Sequence, residues 1–188
     1  MAGKAVSPDV EHFSEAGGVA IALDTPDAVA AAFERVTTSV RRAHPQARVR
    51  GVLVSPMARP GGVETIVGVT RDPVFGPVVL LGLGGVHVEA LADTVTRLAP
   101  VHAGAARTMV AELRGSALLT GARGRPAADL DALARALAGL SAFALAHPEV
   151  VSAEVNPLVV WPDGAAALDA VLIVDPEPGP EPDGGPES

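Results

Sequence analysis

A chain of 188 residues that is 48% hydrophobic carries enough apolar material for one sizeable core, as a single domain or two intimate lobes. Its net charge of −8 and pI near 5.0 argue against the clustered Lys and Arg that nucleic acid or an anionic membrane surface rewards, so neither is expected as a partner. Cysteine is lacking, which removes disulfides, thiolate nucleophiles and zinc-thiolate sites and suits a cytoplasmic protein.

The first 25 residues mix charges and a histidine into what would have to be an apolar signal core, so neither a standard export signal nor a membrane span is expected. GGVAIAL, residues 17 to 23, reads as a short strand. A helix is predicted over residues 26 to 44, with Thr25 as cap, Pro26 at the first helical position and acids in the opening turn. Three apolar, β-branched runs follow: RVRGVLVSPM from Arg48, VETIVGVTRD from Val63 and GPVVLLGL from Gly76. ARPGG, residues 58 to 62, reads as a hairpin loop between the first two, which makes the set an antiparallel meander. GLGGVH departs from the dinucleotide fingerprint at His87, where that fingerprint needs glycine.

Residues 103 to 113 and 127 to 146 show apolar residues at helical spacing, the second segment opening after Pro126. VVSAEVNPLVVW, the turn PDG at 162 to 164 and AALDAVLIV then form a closing hairpin. Residues 175 to 188 have the proline, glycine and acid content of a disordered tail. Strands in runs beside separate helices predict an α+β fold with a largely antiparallel sheet and packed helices.

The closing hairpin carries polar groups where a core strand would be apolar. Glu154 and Asn156 are two apart and so share a face, and the PDG turn brings Asp169 opposite Asn156. Burying such groups without partners costs ~1–3 kcal/mol. Either they are solvent-facing alternations of a half-exposed hairpin, or three oxygen-bearing groups converge in outline on a hard, phosphate-linked cation. His44 and His147 fall at helix ends before proline, and His102 opens a helix at the surface. His87 is either a turn residue or a phosphate contact. Arg71, Asp72, Arg123 and Arg125 read as structural ion pairs or as anion-binding groups, the former favoured.

GVLVSPMARPGGVETIVGVTRDPVFGPVVLLGLGGVHVEAL, LRGSALLTGARGRPAADLDALARAL and SAEVNPLVVWPDGAAALDA together resemble the ATP-grasp portion of NDP-forming acyl-CoA synthetases, typified by ADP-forming acetate-CoA ligase. AVSPDVEHFSEAGGVAIAL is similar to that family's SP-x-x-x-H-K-S-[DE]-x-GGV segment. The resemblance runs from about Lys4 to Val174 and is specific through RDPVFGP, GLGGVHVE, TGARG and EVNP.

The resemblance implies ATP or ADP as ligand and Mg2+ held through Asn156 and Asp169, with Glu154 beside it. It implies that LVSPM, with Ser55 and Met57, is the hinge whose backbone meets adenine, and that Glu64 meets ribose or metal-bound phosphate. Lys4 would touch the nucleotide phosphates, and His12 would relay a phosphoryl group as a phosphohistidine. Phe13 stands where the family carries a lysine, which removes one charge-compensating cation beside His12. Residues 1–174 are thereby expected to be a partial ATP-grasp domain, with the first ATP-grasp lobe and the CoA-binding subunit or domain supplied by another chain. Alone, the chain is not expected to complete acid + CoA + ATP ⇌ acyl-CoA + ADP + phosphate. A non-catalytic nucleotide-binding or sensory module, and a degenerate remnant of the fold, are the alternative readings.

Overall fold

A strand not anticipated from the sequence, β1 (Ala2–Val6), sits at the centre of the first sheet of the computed structural model, which describes residues 1–10, 13–84, 93–122, 124 and 126–175. It pairs antiparallel with β2 (Val19–Ala20) on one edge and β3 (Gly51–Ser55) on the other. The strand expected over residues 17 to 23 is confined to β2 because Ala22 adopts a left-handed φ of 58°, which ends the extended run.

Helix α1 (Pro26–Ala43) forms as the sequence dictates, with the Thr25 hydroxyl accepting from Ala28 N at 3.1 Å and His44 N–H closing on Val40 O at 2.8 Å. Its apolar stripe, Ala32, Val36 and Val40, buries against Ala5, Val10, Phe13, Ala16, Ala20 and Leu23. Gly18 is required at this contact: an added Cβ would lie 2.9 Å from both Phe13 O and Val40 Cγ2.

The chain divides into two compact units, Met1–Arg59 and Pro60–Ser188. The division corrects the expected meander. ARPGG closes no hairpin, because β3 pairs with β1 whereas the next strand, β4 (Val63–Asp72), pairs in a separate sheet with β5 (Gly76–Leu83) and β7 (Val150–Trp161). The run from Arg48 likewise becomes a strand only at Gly51, since the Arg48 backbone N–H and guanidinium are drawn to the Asp9 carboxylate.

The second unit is an antiparallel six-stranded sheet, which with its packed helices bears out the α+β expectation. Its order is β6-β5-β4-β7-β8, where β6 is Thr94–Leu98 and β8 is Gly164–Ala167, while β9 (Ala170–Val174) pairs with the first half of β7. Every residue of β9 is exposed. Helices α2 (Ala103–Glu112), α3 (Ala117–Thr120) and α4 (Leu130–Ala146) contribute Ala106, Met109, Leu119, Leu133 and Leu137 to one core with Val67, Val79, Leu81 and Val160 of the sheet.

Helix α4 opens at Leu130 rather than directly after Pro126. The backbone N–H groups of Ala128 and Asp129 are taken by Leu119 O and Trp161 O at 2.9 and 2.7 Å, and the Asp129 carboxylate then caps Ala132 N at 2.8 Å. No helix among the described residues is long and apolar enough to cross a membrane. His12, His87, Arg123, Arg125 and all of the expected tail beyond Asp175 lie outside the described residues.

Candidate functional site

Pro157 has no N–H to give to a ladder, and it sits where the partner of β7 changes from β9 to β8. Around this joint Asn156 N–H donates to Asp169 O at 3.1 Å and Leu168 N–H to Pro157 O at 3.0 Å. Asp169 therefore faces Asn156 across the hairpin. The turn at Pro162 and Asp163, closed by the pair Trp161 and Gly164, sets this register.

On the other edge of β7 the register with β4 shifts between the pairs Thr65–Leu158 and Val67–Val155. Thr65, fully buried, anchors the irregularity by donating its hydroxyl to Leu158 O at 2.7 Å. Val63, Thr65, Val67 and Val69 of β4 face the core, so Glu64 and Gly68 look away from it, and Gly68 stands opposite Glu154. Glu64 and Glu154 thus lie on the same open face of the sheet, both exposed.

The side-chain amide of Asn156 donates to Glu154 Oε1 at 3.4 Å, which turns its carbonyl oxygen Oδ1 away from Glu154. Asp169 Oδ1 accepts Ala170 N–H at 3.0 Å. An amide oxygen and two exposed carboxylates are hard donors of the kind Mg2+ takes, so the residues present fit that ion. No group of three or more His, Cys, Asp or Glu suited to a metal occurs among the described residues, as expected for a set in which Asn156 is one donor.

The other candidates lie in the first unit. Lys4 of β1 stands between Val19 and Leu53, and Ser55 pairs with Ala2, so Lys4 and Ser55 project from the same face of their sheet. Met57 follows β3 in irregular chain and is exposed. The Lys4 ammonium lies 5.3 Å from the centroid of the Phe13 ring. A cleft of about 490 Å3 in this unit, whose lining includes Asp9, Glu15 and His44, touches none of these side chains.

Several polar side chains hold the frame. Arg71 is structural: it donates to Ala144 O at 2.7 Å and His147 O at 3.1 Å at the end of α4 and to Val150 O at 3.2 Å at the start of β7, tying the helix end to the strand. Asp72 shapes the β4–β5 turn, and the N–H groups of Phe75 and Val74 hold its carboxyl below the ordinary carboxylate range. His147 stacks its ring near Phe143 and meets Glu149 at 3.0 Å. Asp93, which the sequence reading passed over, is buried and accepts N–H bonds from Arg114 at 2.9 Å and Gly115 at 2.8 Å. Burial pushes its carboxyl up, but these bonds outweigh burial and leave it lowered. Its signal was an acid set between apolar LA and the strand TVTRL.

Residues 1–174 match the model of the ATP-grasp domain family. The chain is 42% identical over 174 residues to acetate-CoA ligase (ADP-forming) I of Archaeoglobus fulgidus, covering 93% of itself but only 25% of that longer protein. It is 39% identical over 171 residues to acetate-CoA ligase (ADP-forming) I subunit beta of Pyrococcus furiosus, covering 91% of itself and 73% of the subunit. Among solved structures it resembles the dinucleotide-forming acetyl-coenzyme A synthetase 1 of Ca. Korarchaeum cryptofilum. The complex of that enzyme with coenzyme A, Ca-AMPCP and HgCl+ superposes with a TM-score of 0.88 at 38% identity, covering 92% of this chain and 75% of the other. A second structure, with coenzyme A and Mg-AMPPCP and its phosphohistidine segment pointing towards the nucleotide binding site, gives 0.79 at 34% identity, covering 93% and 76%.

Proposed function

The chain belongs to the ATP-grasp domain family, and from that premise we propose that it is the ATP- and Mg2+-binding portion of an NDP-forming acyl-CoA synthetase. In this role it couples the interconversion of acid and acyl-CoA to ADP and ATP in the cytoplasm. It works with a CoA-binding subunit or domain of another chain, a reading supported by the relative named as a beta subunit. The observation that carries the proposal is the hairpin that sets Asp169 against Asn156, with Glu154 bonded to the same amide.

In the mechanism, Asn156 Oδ1 and the Asp169 carboxylate hold Mg2+, and Glu154 fixes the amide. When bound, the ion neutralises phosphate charge. Lys4 meets the phosphates as a point charge, Glu64 meets ribose or metal-bound phosphate, and the backbone from Ser55 to Met57 receives adenine. His12 serves as the relay. In the direction of ATP formation the P–N bond to a histidine of the CoA-binding part breaks as an imidazole nitrogen of His12 accepts the phosphoryl group and forms its own P–N bond. That P–N bond then breaks as a terminal oxygen of ADP takes the group. The phosphohistidine segment described for the Korarchaeum enzyme supports this assignment.

Phe13, in the place of the family's lysine, favours a second reading, a nucleotide-binding module without chemistry. Substitution His12→Ala separates the two. It abolishes partner-dependent acyl-CoA formation under the first reading and leaves every ligand response intact under the second.

The primary test is the thermal midpoint of the full chain with and without Mg2+ and ATP, beside the Asn156→Ala, Asp169→Ala double variant. Ligand at about 100 times its dissociation constant stabilises the native state by ~2.7 kcal/mol. A Mg2+-dependent rise lost in the variant upholds the proposal, whereas an equal rise in both removes the hairpin from the site.

A further inference from the structure

The core-facing side of β4 is valine at Val63, Val67 and Val69, yet position 65 carries a threonine that is fully buried. Valine has the same shape, so the hydroxyl is the difference, and it donates to Leu158 O on β7 at 2.7 Å. That bond falls where β7 breaks step. The core residues of β7 run Ala153, Val155, Leu158 and Val160, so a stride of three interrupts the strand alternation of two. Their partners on β4, Val69, Val67, Thr65 and Val63, alternate without a break, which sets Asn156 and Pro157 together against the single residue Ile66. The extra residue of the bulge is thus housed at Asn156 and its neighbour.

We infer that Thr65 is a positioning residue for Asn156: from the core side of the sheet its hydroxyl keeps Leu158 opposite Thr65, and so holds the bulge that aims the amide on the open face. This rests on the reading of Asn156 as a Mg2+ ligand. A bulge bends its strand and sharpens the local twist, which re-aims the side chains within it. If the bulge moved past Leu158, Pro157 would come to stand opposite Thr65 in the core, and Leu158, now buried, would be turned out. Asn156 would fall back into an ordinary ladder position opposite Ile66. Its amide would then lose the aim it holds between Glu154, two residues back, and Asp169, whose carbonyl accepts the Asn156 N–H at 3.1 Å. Thr65→Val leaves packing alone to oppose that move.

The test uses the full chain labelled with 15N-asparagine, whose single side-chain amide signal belongs to Asn156, the only asparagine of the 188 residues. Without ligand, Thr65→Val shifts or doubles that signal, and Thr65→Ser, which keeps the hydroxyl, returns it to its original position. Affinities for Mg-ATP and for metal-free ATP are measured in parallel. Thr65→Val weakens Mg-ATP roughly tenfold, as for other groups that orient a metal ligand, and leaves metal-free ATP unchanged, while Thr65→Ser restores the affinity. Val79→Ala, a change at a fully buried position of β5, is the stability control: it lowers the melting temperature and leaves Mg-ATP affinity as it was. An Asn156 signal unmoved by Thr65→Val overturns the inference, as does an equal loss of Mg-ATP affinity in Val79→Ala. If Asn156→Ala weakens Mg-ATP but Thr65→Val does not, the positioning role fails and the ligand reading stands. If Asn156→Ala changes nothing, or the unaltered chain binds no Mg-ATP, the ligand reading fails and the inference with it.

Discussion

The amide of Asn156 is bonded through its nitrogen to Glu154, two residues back on the same strand, so the orientation of its carbonyl oxygen is set inside the strand. The two side chains therefore act unequally. Glu154→Gln keeps an oxygen acceptor for that amide and retains most of the Mg2+-dependent thermal shift, whereas Asn156→Ala or Asp169→Ala removes it. All three residues are exposed, so the ligand-free stabilities stay within about 0.5 kcal/mol of the unaltered chain. Thermal scans of the single variants with and without Mg-ATP decide it, and an equal loss for all three would make Glu154 a ligand.

Arg71 supplies donors to two carbonyls at the end of α4 and to one at the start of β7. Arg71→Met strips them and lowers unfolding stability by ~1–3 kcal/mol. Urea titration measures the loss. Nucleotide affinity at saturating Mg2+ is unchanged, because the contacts are structural.

Asp93→Ala leaves the N–H groups of Arg114 and Gly115 without their acceptor beside a tight contact, since a Cβ on Gly115 would stand 2.3 Å from Leu83 Cδ1. The expected cost is ~2–3 kcal/mol in urea titration, with Asp93→Asn intermediate because one oxygen is kept. The folded carboxyl is lowered, so its contribution is complete above the ordinary carboxylate range and is lost as pH falls through the depressed value.

Arg48 grips Asp9 through Nε at 3.0 Å, Nη2 at 2.8 Å and its own backbone N–H at 2.8 Å. The guanidinium, then the backbone bond, hold the Asp9 carboxyl down from 3.8 to about 2. The pair stabilises the first unit fully above pH 3.8, and the contribution fades as pH falls through about 2. Arg48→Gln accordingly moves the acid unfolding limb of that unit to higher pH, followed by the NMR signals of Val10 and Val36. An unmoved limb would show that the pair is inert.

Local chemistry made some elements plain. Thr25, Pro26 and Asp27 announced α1, and the β-branched alternation from Val63 announced β4 to its last residue. The facing of Asn156 and Asp169 was legible because a short turn fixes register by counting. Partner choice was not legible. ARPGG looks like any glycine-rich loop, and nothing local tells β3 to pair with β1 across the intervening α1 rather than with β4. β1 itself escaped notice because AGKAV is short and starts with small residues, and β6 because TVTRL is a half-exposed edge strand. The Phe13 ring beside Lys4 depends on a turn that only the folded chain closes.

The joint at Pro157 makes the hairpin a gauge of its own alignment. A slip of β9 along β7 by one residue would carry Asp169 off Asn156 and turn its side chain to the opposite face. Strand misalignment in a wholly exposed edge strand is otherwise nearly silent, since little core packing opposes it. Under the proposed function it would erase the carboxylate from the Mg2+ donors, so that cation affinity, rather than melting temperature, would distinguish the correctly aligned strand from its slipped neighbours.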